Sequence, residues 1–258
     1  MNNNLKNMIK KTSIYRYSSM SRNRHRYKYS PEYALALQNI ERAQNMIDLG
    51  CGSTPHPKSK VAVDKYIEPI HRKFGSNEKI DVESIERNEI KFVEADIESL
   101  PFADKEFDFA YSHHVVEHLD DPIRGMQEMM RIARGGVIMC PGPMQEYVFG
   151  RKYHKWIVTS RNNTIIFIEK DWDGVLFGEG PFIENGKTKM PKDCNPFDIL
   201  LNDGGWYHGI HRYRKLTKLL RREWYGHNPS MEVVFNWKDS FDYIVIFKDG
   251  NIERSINR

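Results

Sequence analysis

Apolar positions follow two rhythms along the chain, and together they predict an alternation of strands and helices. Short apolar runs at residues 46–49, 60–64, 91–94, 107–111 and 137–140 read as strands, each bounded by glycine, proline or acidic residues. Helical spacing marks two stretches. Ser30-Pro31-Glu32 supplies a capping serine and a first-turn proline to a helix over 33–43. Asp121-Pro122 opens a second that carries Ile123, Met126, Met130 and Ile132 and is expected to stop near Gly135-Gly136. Strands joined by helices or crossover-length connections imply an α/β fold with a mostly parallel sheet. Beyond residue 143 the pattern loosens. Residues 156–158 and 164–168 flank Ser160-Arg161-Asn162-Asn163 as a hairpin, 174–205 reads as loop, and Tyr213, Leu216, Leu220 and Trp224 mark a helix over about 212–225. Residues 231–237 and 241–247 then form a closing antiparallel pair, so 144–230 is read as an insertion before the last two strands.

Composition changes this picture at the N-terminus. The chain has 258 residues and a net charge of +4, but residues 1–30 hold eight lysines and arginines and no acid, and removing those eight from 39 leaves 31 basic against 35 acidic residues. Residues 1–29 therefore read as a basic, disordered tail and 30–258 as one domain. An Arg- and Ser-rich leader bound for mitochondria and an arm that binds nucleic acid compete with that reading. No apolar run reaches the ~20 residues of a membrane-spanning helix. Cys51, Cys140 and Cys194 are odd in number and lack C-x-x-C spacing, which indicates neither disulfides nor a cysteine zinc site and points to a reducing, cytoplasmic setting.

The chemistry-bearing residues gather at strand ends. Asp48-Leu49-Gly50-Cys51-Gly52 closes the first strand, and its two glycines allow a tight turn and close approach to a nucleotide-like ligand. Asp64 ends the second strand, where it can accept hydrogen bonds from ribose hydroxyls, and Asp96 follows the third. Pro55 stands where G-x-G-x-x-G would need its third glycine, which disfavours a dinucleotide.

From residue 45 to 143 the motif order resembles the class I, or seven-strand, S-adenosylmethionine-dependent methyltransferases, most closely the type 11 group. The resemblance rests on the glycine loop, on 96–102 (Asp-Ile-Glu-Ser-Leu-Pro-Phe), on Phe107-Asp108, and on 112–122 (Ser-His-His-Val-Val-Glu-His-Leu-Asp-Asp-Pro). It implies a Rossmann-like, mostly parallel seven-stranded sheet. It also implies that Asp48 and the Gly50-Cys51-Gly52 loop surround the methionine part of S-adenosylmethionine, with Cys51 itself a small packing residue. Asp64 would bind the ribose, Asp96 and Ile97 would frame the adenine, and Ser112 and His113 would approach the methyl group.

Methyl transfer is an in-line displacement that needs positioning above all. A hydroxyl acceptor also benefits from a base, and the histidines after the fourth strand supply candidates, His114 first and His113 beside it. The expected acceptor is a sugar, glycan or other small molecule. Rival readings are a quinone-precursor O-methyltransferase, an RNA methyltransferase that uses the basic tail, and a non-catalytic cofactor-binding subunit. No Asn/Asp-Pro-Pro-Tyr run follows the fourth strand, which lowers support for base N-methylation. A segment at 153–170 is similar to inserts of glycan-linked type 11 enzymes, in which Trp156 either stacks on a sugar or belongs to the core. Trp206, Tyr207, His208, His211 and Arg212 form another polar-aromatic cluster. His114, Glu117 and His118 share one face if their segment is helical. Some related quinone enzymes bind a divalent metal here through Glu-x-x-Glu-His, but His114 replaces the first glutamate, and a metal is not favoured. The H-x-x-E-H protease signature requires a different fold context.

Overall fold

A computed structural model describes residues 30–68, 79–143, 145–146, 153–170, 182–184, 187–189 and 232–255 of the chain. The basic tail, the loop over 174–205 apart from a small hairpin within it, Cys194, the helix over 212–225 and the cluster from Trp206 to Arg212 lie outside the described residues.

The first helix, α1 (Pro31–Arg42), begins as expected: the Ser30 hydroxyl accepts from Tyr33 N at 3.2 Å. It buries Ala36 and Ile40 against Met46, Phe109, Val137 and Met139. Strands β1 (Met46–Leu49), β2 (Ser59–Asp64), β3 (Lys91–Glu94), β4 (Phe109–His113) and β5 (Gly135–Pro141) form the parallel part of the main sheet. The short helix α2 (Val82–Glu86) precedes β3, and α3 (Pro122–Ile132) links β4 to β5. The order is β10-β5-β4-β1-β2-β3, with β10 (Glu232–Lys238) antiparallel at the edge beside β5. β1 is buried along its whole length, as a central parallel strand should be.

Three expectations are corrected. The fourth strand lies two residues later than the apolar run suggested, so Ser112 and His113 belong to β4 itself. Gly135 and Gly136 do not stop α3 but start β5. The helix ends at Ile132 with Ala133 as its C-cap, and Lys105 Nζ donates to the carbonyls of Met130 at 2.5 Å and Ala133 at 3.0 Å, which places a cation on the helix C-terminus. Gly136 is small for packing reasons, because a Cβ there would stand 2.4 Å from Ala110 O.

The third correction concerns the closing pair. β10 joins the main sheet, which has six strands among the described residues, whereas β11 (Asp242–Ile246) enters a second sheet of order β12-β11-β7-β6. β11 runs parallel to β7 (Thr164–Glu169) and antiparallel to β12 (Ile252–Ser255). β6 (Trp156–Arg161) and β7 form the expected hairpin, with Asn162 in the left-handed region at φ 55°. A separate pair, β8 (Phe182–Glu184) and β9 (Lys187–Lys189), lies in the insertion.

The second sheet shares the main core. Trp156, Phe167, Phe241 and Val245 pack with Leu49, Val116, Met126 and Ile138. Trp156 is buried and its indole donates to Leu119 O at 2.8 Å, so it holds the β4–α3 connection and does not stack on a sugar. Among the described residues no helix is long and apolar enough to cross a membrane.

Candidate methyl-transfer site

The C-terminal ends of β1, β2 and β4 meet at the glycine loop. Gly50 and Cys51 donate to Val63 O at 2.8 and 2.9 Å, which forces the turn, and Gly50 sits at φ 76° and Gly52 at φ 57°. A Cβ on Gly50 would stand 2.3 Å from Val115 Cγ2, so the loop and the segment after β4 approach as closely as glycine allows. A Cβ on Gly52 would meet nothing within 4 Å, and this peptide therefore faces open space.

Asp48 is buried and accepts from His56 N at 2.6 Å. Burial pushes its carboxyl up to about 7, against the lowering effect of that amide, and the Asp64 charge adds to the rise. His56, which the sequence reading missed, is driven down to about 4 by burial, assisted by Lys58; its ring lies 4.9 Å from that of Tyr111. Its neutral Nδ1 accepts from Lys58 N at 3.2 Å.

Asp64 holds the loop directly: Oδ2 accepts from Gly52 N at 2.8 Å and Oδ1 from Tyr66 N at 3.2 Å. Asp96 accepts from Glu98 N at 3.0 Å and pairs with Lys65 at 2.6 Å, so the ends of β2 and β3 are clamped by a cation that the strand pattern did not reveal. Ile97 is buried beneath them, and the buried Cys51 thiol donates to Gly52 O at 3.4 Å. Arg131 on α3 fixes the following loop by donating to Leu100 O at 2.9 Å and Phe102 O at 2.6 Å.

Ser112 lies beside Leu49 in register, and its buried hydroxyl has no hydrogen-bond partner among the described residues. His113 Nε2 is 3.7 Å from Glu232 on β10, and its ring packs between Tyr111 and His114. The protein crowded around that ring lowers its pKa, with Glu232 opposing, which favours the neutral imidazole. His114 has φ 57°, unusual for a residue with a side chain, and its amide donates to Met139 O at 2.8 Å. Its Nδ1 stands 3.4 Å from Oε1 of Glu117, which has 0% exposure. Burial alone would raise the Glu117 carboxyl, but His114, His118 and His154 outweigh it and hold it below the usual range.

His114, Glu117 and His118 do converge, although through a left-handed residue and a 3-10 turn (Val116–His118) rather than an α-helix. Behind them lies a second group that sequence reasoning did not find. His154 Nδ1 contacts Glu146, whose other oxygen is 3.3 Å from Lys170 Nζ, and all three side chains are buried. No local spacing links 117, 146, 154 and 170, because the second sheet brings them together.

Residues 47–140 match the type 11 family model described as a methyltransferase domain. This segment is thus a class I, Rossmann-like, S-adenosylmethionine-dependent methyltransferase domain of the type 11 group. An uncharacterized methyltransferase of Schizosaccharomyces pombe is 28% identical over a region covering 40% of this chain, and the match spans about two fifths (41%) of that relative. Among solved structures, a methyltransferase from Aquifex aeolicus is 16% identical, with 45% of this chain and 67% of that chain covered at a TM-score of 0.32. A Pyrococcus horikoshii protein is 19% identical, with 53% and 58% covered at 0.36. The site fits the family's cofactor on its own geometry. The glycine loop opens at Gly52, Asp64 stands at that opening on the Gly52 amide, and the orphaned Ser112 hydroxyl calls for a partner.

Proposed function

We propose that the chain catalyses S-adenosylmethionine-dependent O-methylation of a sugar, glycan or other small hydroxyl compound. The observation that carries the oxygen acceptor is the pairing of His114 Nδ1 with the buried Glu117 carboxylate at 3.4 Å, immediately after the strand that presents Ser112 and His113.

In this reading Asp48 and the Gly50–Gly52 loop hold the methionine part, Asp64 the ribose, Asp96 and Ile97 the adenine edge, and Ser112 the region nearest the methyl. When bound, S-adenosylmethionine supplies an electrophilic methyl carbon, and the oxygen–carbon bond forms as the carbon–sulfur bond breaks. His114 Nε2 takes the hydroxyl proton. Glu117 orients that ring through Nδ1 and stabilises the imidazolium, as a carboxylate behind a catalytic histidine does. His113 stays neutral beside it and helps place the acceptor.

The test is transfer of labelled methyl from S-adenosylmethionine to a panel of glycans, nucleotide sugars, phenolic quinone precursors and RNA. Label on a glycan, sugar or other small hydroxyl compound supports the proposal, whereas label on RNA alone would replace it with the nucleic-acid reading. His114→Ala should keep cofactor affinity and lose ~10²–10⁴-fold in rate. An unimpaired variant removes His114 from catalysis.

A further inference from the structure

We propose that His154 is a positioning residue for methyl transfer, which keeps the Glu117 carboxylate set against His114 and so rests on the reading of His114 as the base. The reacting groups follow β4, but what seats them comes from the second sheet. Lys155 N donates to Glu117 O at 2.8 Å, the Trp156 indole donates to Leu119 O at 2.8 Å, and Lys170 N donates to Lys155 O at 2.9 Å. The turn that carries Glu117 is thereby fixed to the lead into β6 and, through Lys155, to the end of β7.

Side chains repeat that connection in the interior. Lys170 Nζ lies 3.3 Å from one oxygen of Glu146, and His154 Nδ1 contacts the other, with all three residues buried. The His154 ring meets His118 edge to face at 4.7 Å between centroids, and Tyr153 stacks on His118 at 5.7 Å. A ring nitrogen of His154 stands within 4.8 Å of a Glu117 carboxylate oxygen. From Lys170 to His114 the chain of groups therefore runs ammonium, carboxylate, imidazole, carboxylate, imidazole. Against the rise that burial imposes, His154 is one of three imidazoles that hold the Glu117 carboxyl below its usual range.

Such a cluster is a poor source of stability, because the cost of desolvating buried charges offsets their attraction. Its stronger effect is on direction, since a charge-assisted hydrogen bond fixes where an imidazole points. Glu146, anchored by Lys170, sets the His154 ring; that ring packs on His118 and faces Glu117. Glu117, sealed from solvent, then meets His114 Nδ1 at 3.4 Å. A carboxylate at Nδ1 keeps the imidazole proton on that nitrogen and leaves Nε2 to accept one from the substrate. Misplacement by about 1 Å can cost ~10²-fold in rate, so support this far from the reacting atoms matters to the chemistry.

The experiment reads the His114 tautomer by ¹⁵N NMR of the full-length, ¹⁵N-histidine-labelled protein with S-adenosylhomocysteine added, at mildly alkaline pH. The signals missing from His114→Ala identify the residue. In the unmodified protein the proton is expected on Nδ1. His154→Phe keeps a ring but offers Glu146 no donor, and should shift His114 toward the Nε2–H form while calorimetric affinity for S-adenosylhomocysteine stays unchanged. Glu146→Gln combined with Lys170→Met removes both supporting charges at nearly constant shape, and should move the tautomer in the same direction even if His154→Phe does not fold. A purely structural cluster predicts no such change. An unaltered Nδ1–H tautomer in either variant, with its fold intact by circular dichroism, overturns the proposal. The measurement needs no acceptor, so this failure is distinct from that of the base reading, which shows as an unimpaired His114→Ala in methyl transfer.

Discussion

Asp48→Asn tests the energetics of the cofactor loop directly. The substitution keeps the side-chain shape and leaves an oxygen able to accept from His56 N, now at 2.6 Å from the carboxylate, but removes the ability to ionise. A carboxyl moved from an ordinary 3.8 to about 7 carries an ionisation cost of roughly 4 kcal/mol at about 1.36 kcal/mol per pH unit. The sign follows from proton counts. Between those two pKa values the folded chain binds more protons at this residue than the unfolded chain, so its contribution to stability falls as pH rises and levels off above about pH 7. The amide of the variant has no such slope. Urea unfolding at pH 5, 6, 7 and 8 should therefore show the variant gaining on the wild type by about 2–3 kcal/mol across that range. A gap that stays constant from pH 5 to 8 would refute the reasoning. In the proposed function the same carboxylate faces the positively charged methionine part. Binding of S-adenosylmethionine near pH 6 should then expel a proton, seen as a buffer-dependent calorimetric enthalpy that the variant lacks.

Three further outcomes are expected. Gly50→Ala combines a left-handed backbone with a collision against Val115, and should cost roughly 2–4 kcal/mol in denaturant unfolding, while Gly52→Ala, strained only in its backbone, should cost about 1–2 kcal/mol. Asp64→Ala removes both the support of the Gly52 amide and a charged acceptor, and calorimetry should show S-adenosylmethionine bound at least about tenfold more weakly. Lys170→Met strands the Glu146 charge in the interior and should destabilise by roughly 3 kcal/mol, while adding Glu146→Gln in the same chain should recover part of that loss, as a double-mutant cycle would reveal.

The parallel half of the molecule was legible because its signals are local. An apolar run ending in Gly-x-Gly or aspartate announces a strand and its ligand-side end together, and the caps Ser30 and Asp121 lie within three residues of the amides they serve. Where the reading failed, the deciding contacts are distant in sequence. The end of α3 is set by Lys105, and Gly136 owes its size to Ala110 and Trp237 on neighbouring strands. β10 and β11 both alternate buried and half-buried residues as paired strands do, so the pattern could not reveal that they part company at Asp239, itself at φ 61°. The histidines at 113, 114 and 118 were visible from their spacing. Their partners Glu146, His154, Lys170 and Glu232 were not, since each arrives from an element beyond the family motif.

The parallel pairing of β7 with β11 has a consequence for synthesis on the ribosome. During translation the β6–β7 hairpin emerges early with one edge of β7 bare, and that edge must wait for Asp242–Ile246 before its backbone groups are matched. The interval spans the whole stretch from residue 170 to 241, several seconds of elongation at about 5–20 residues per second. Through that time an apolar edge rich in isoleucine and phenylalanine stands open to strand addition by another nascent chain. Slowing elongation between residues 170 and 241 would therefore raise the aggregated fraction of newly made protein, and faster passage would lower it.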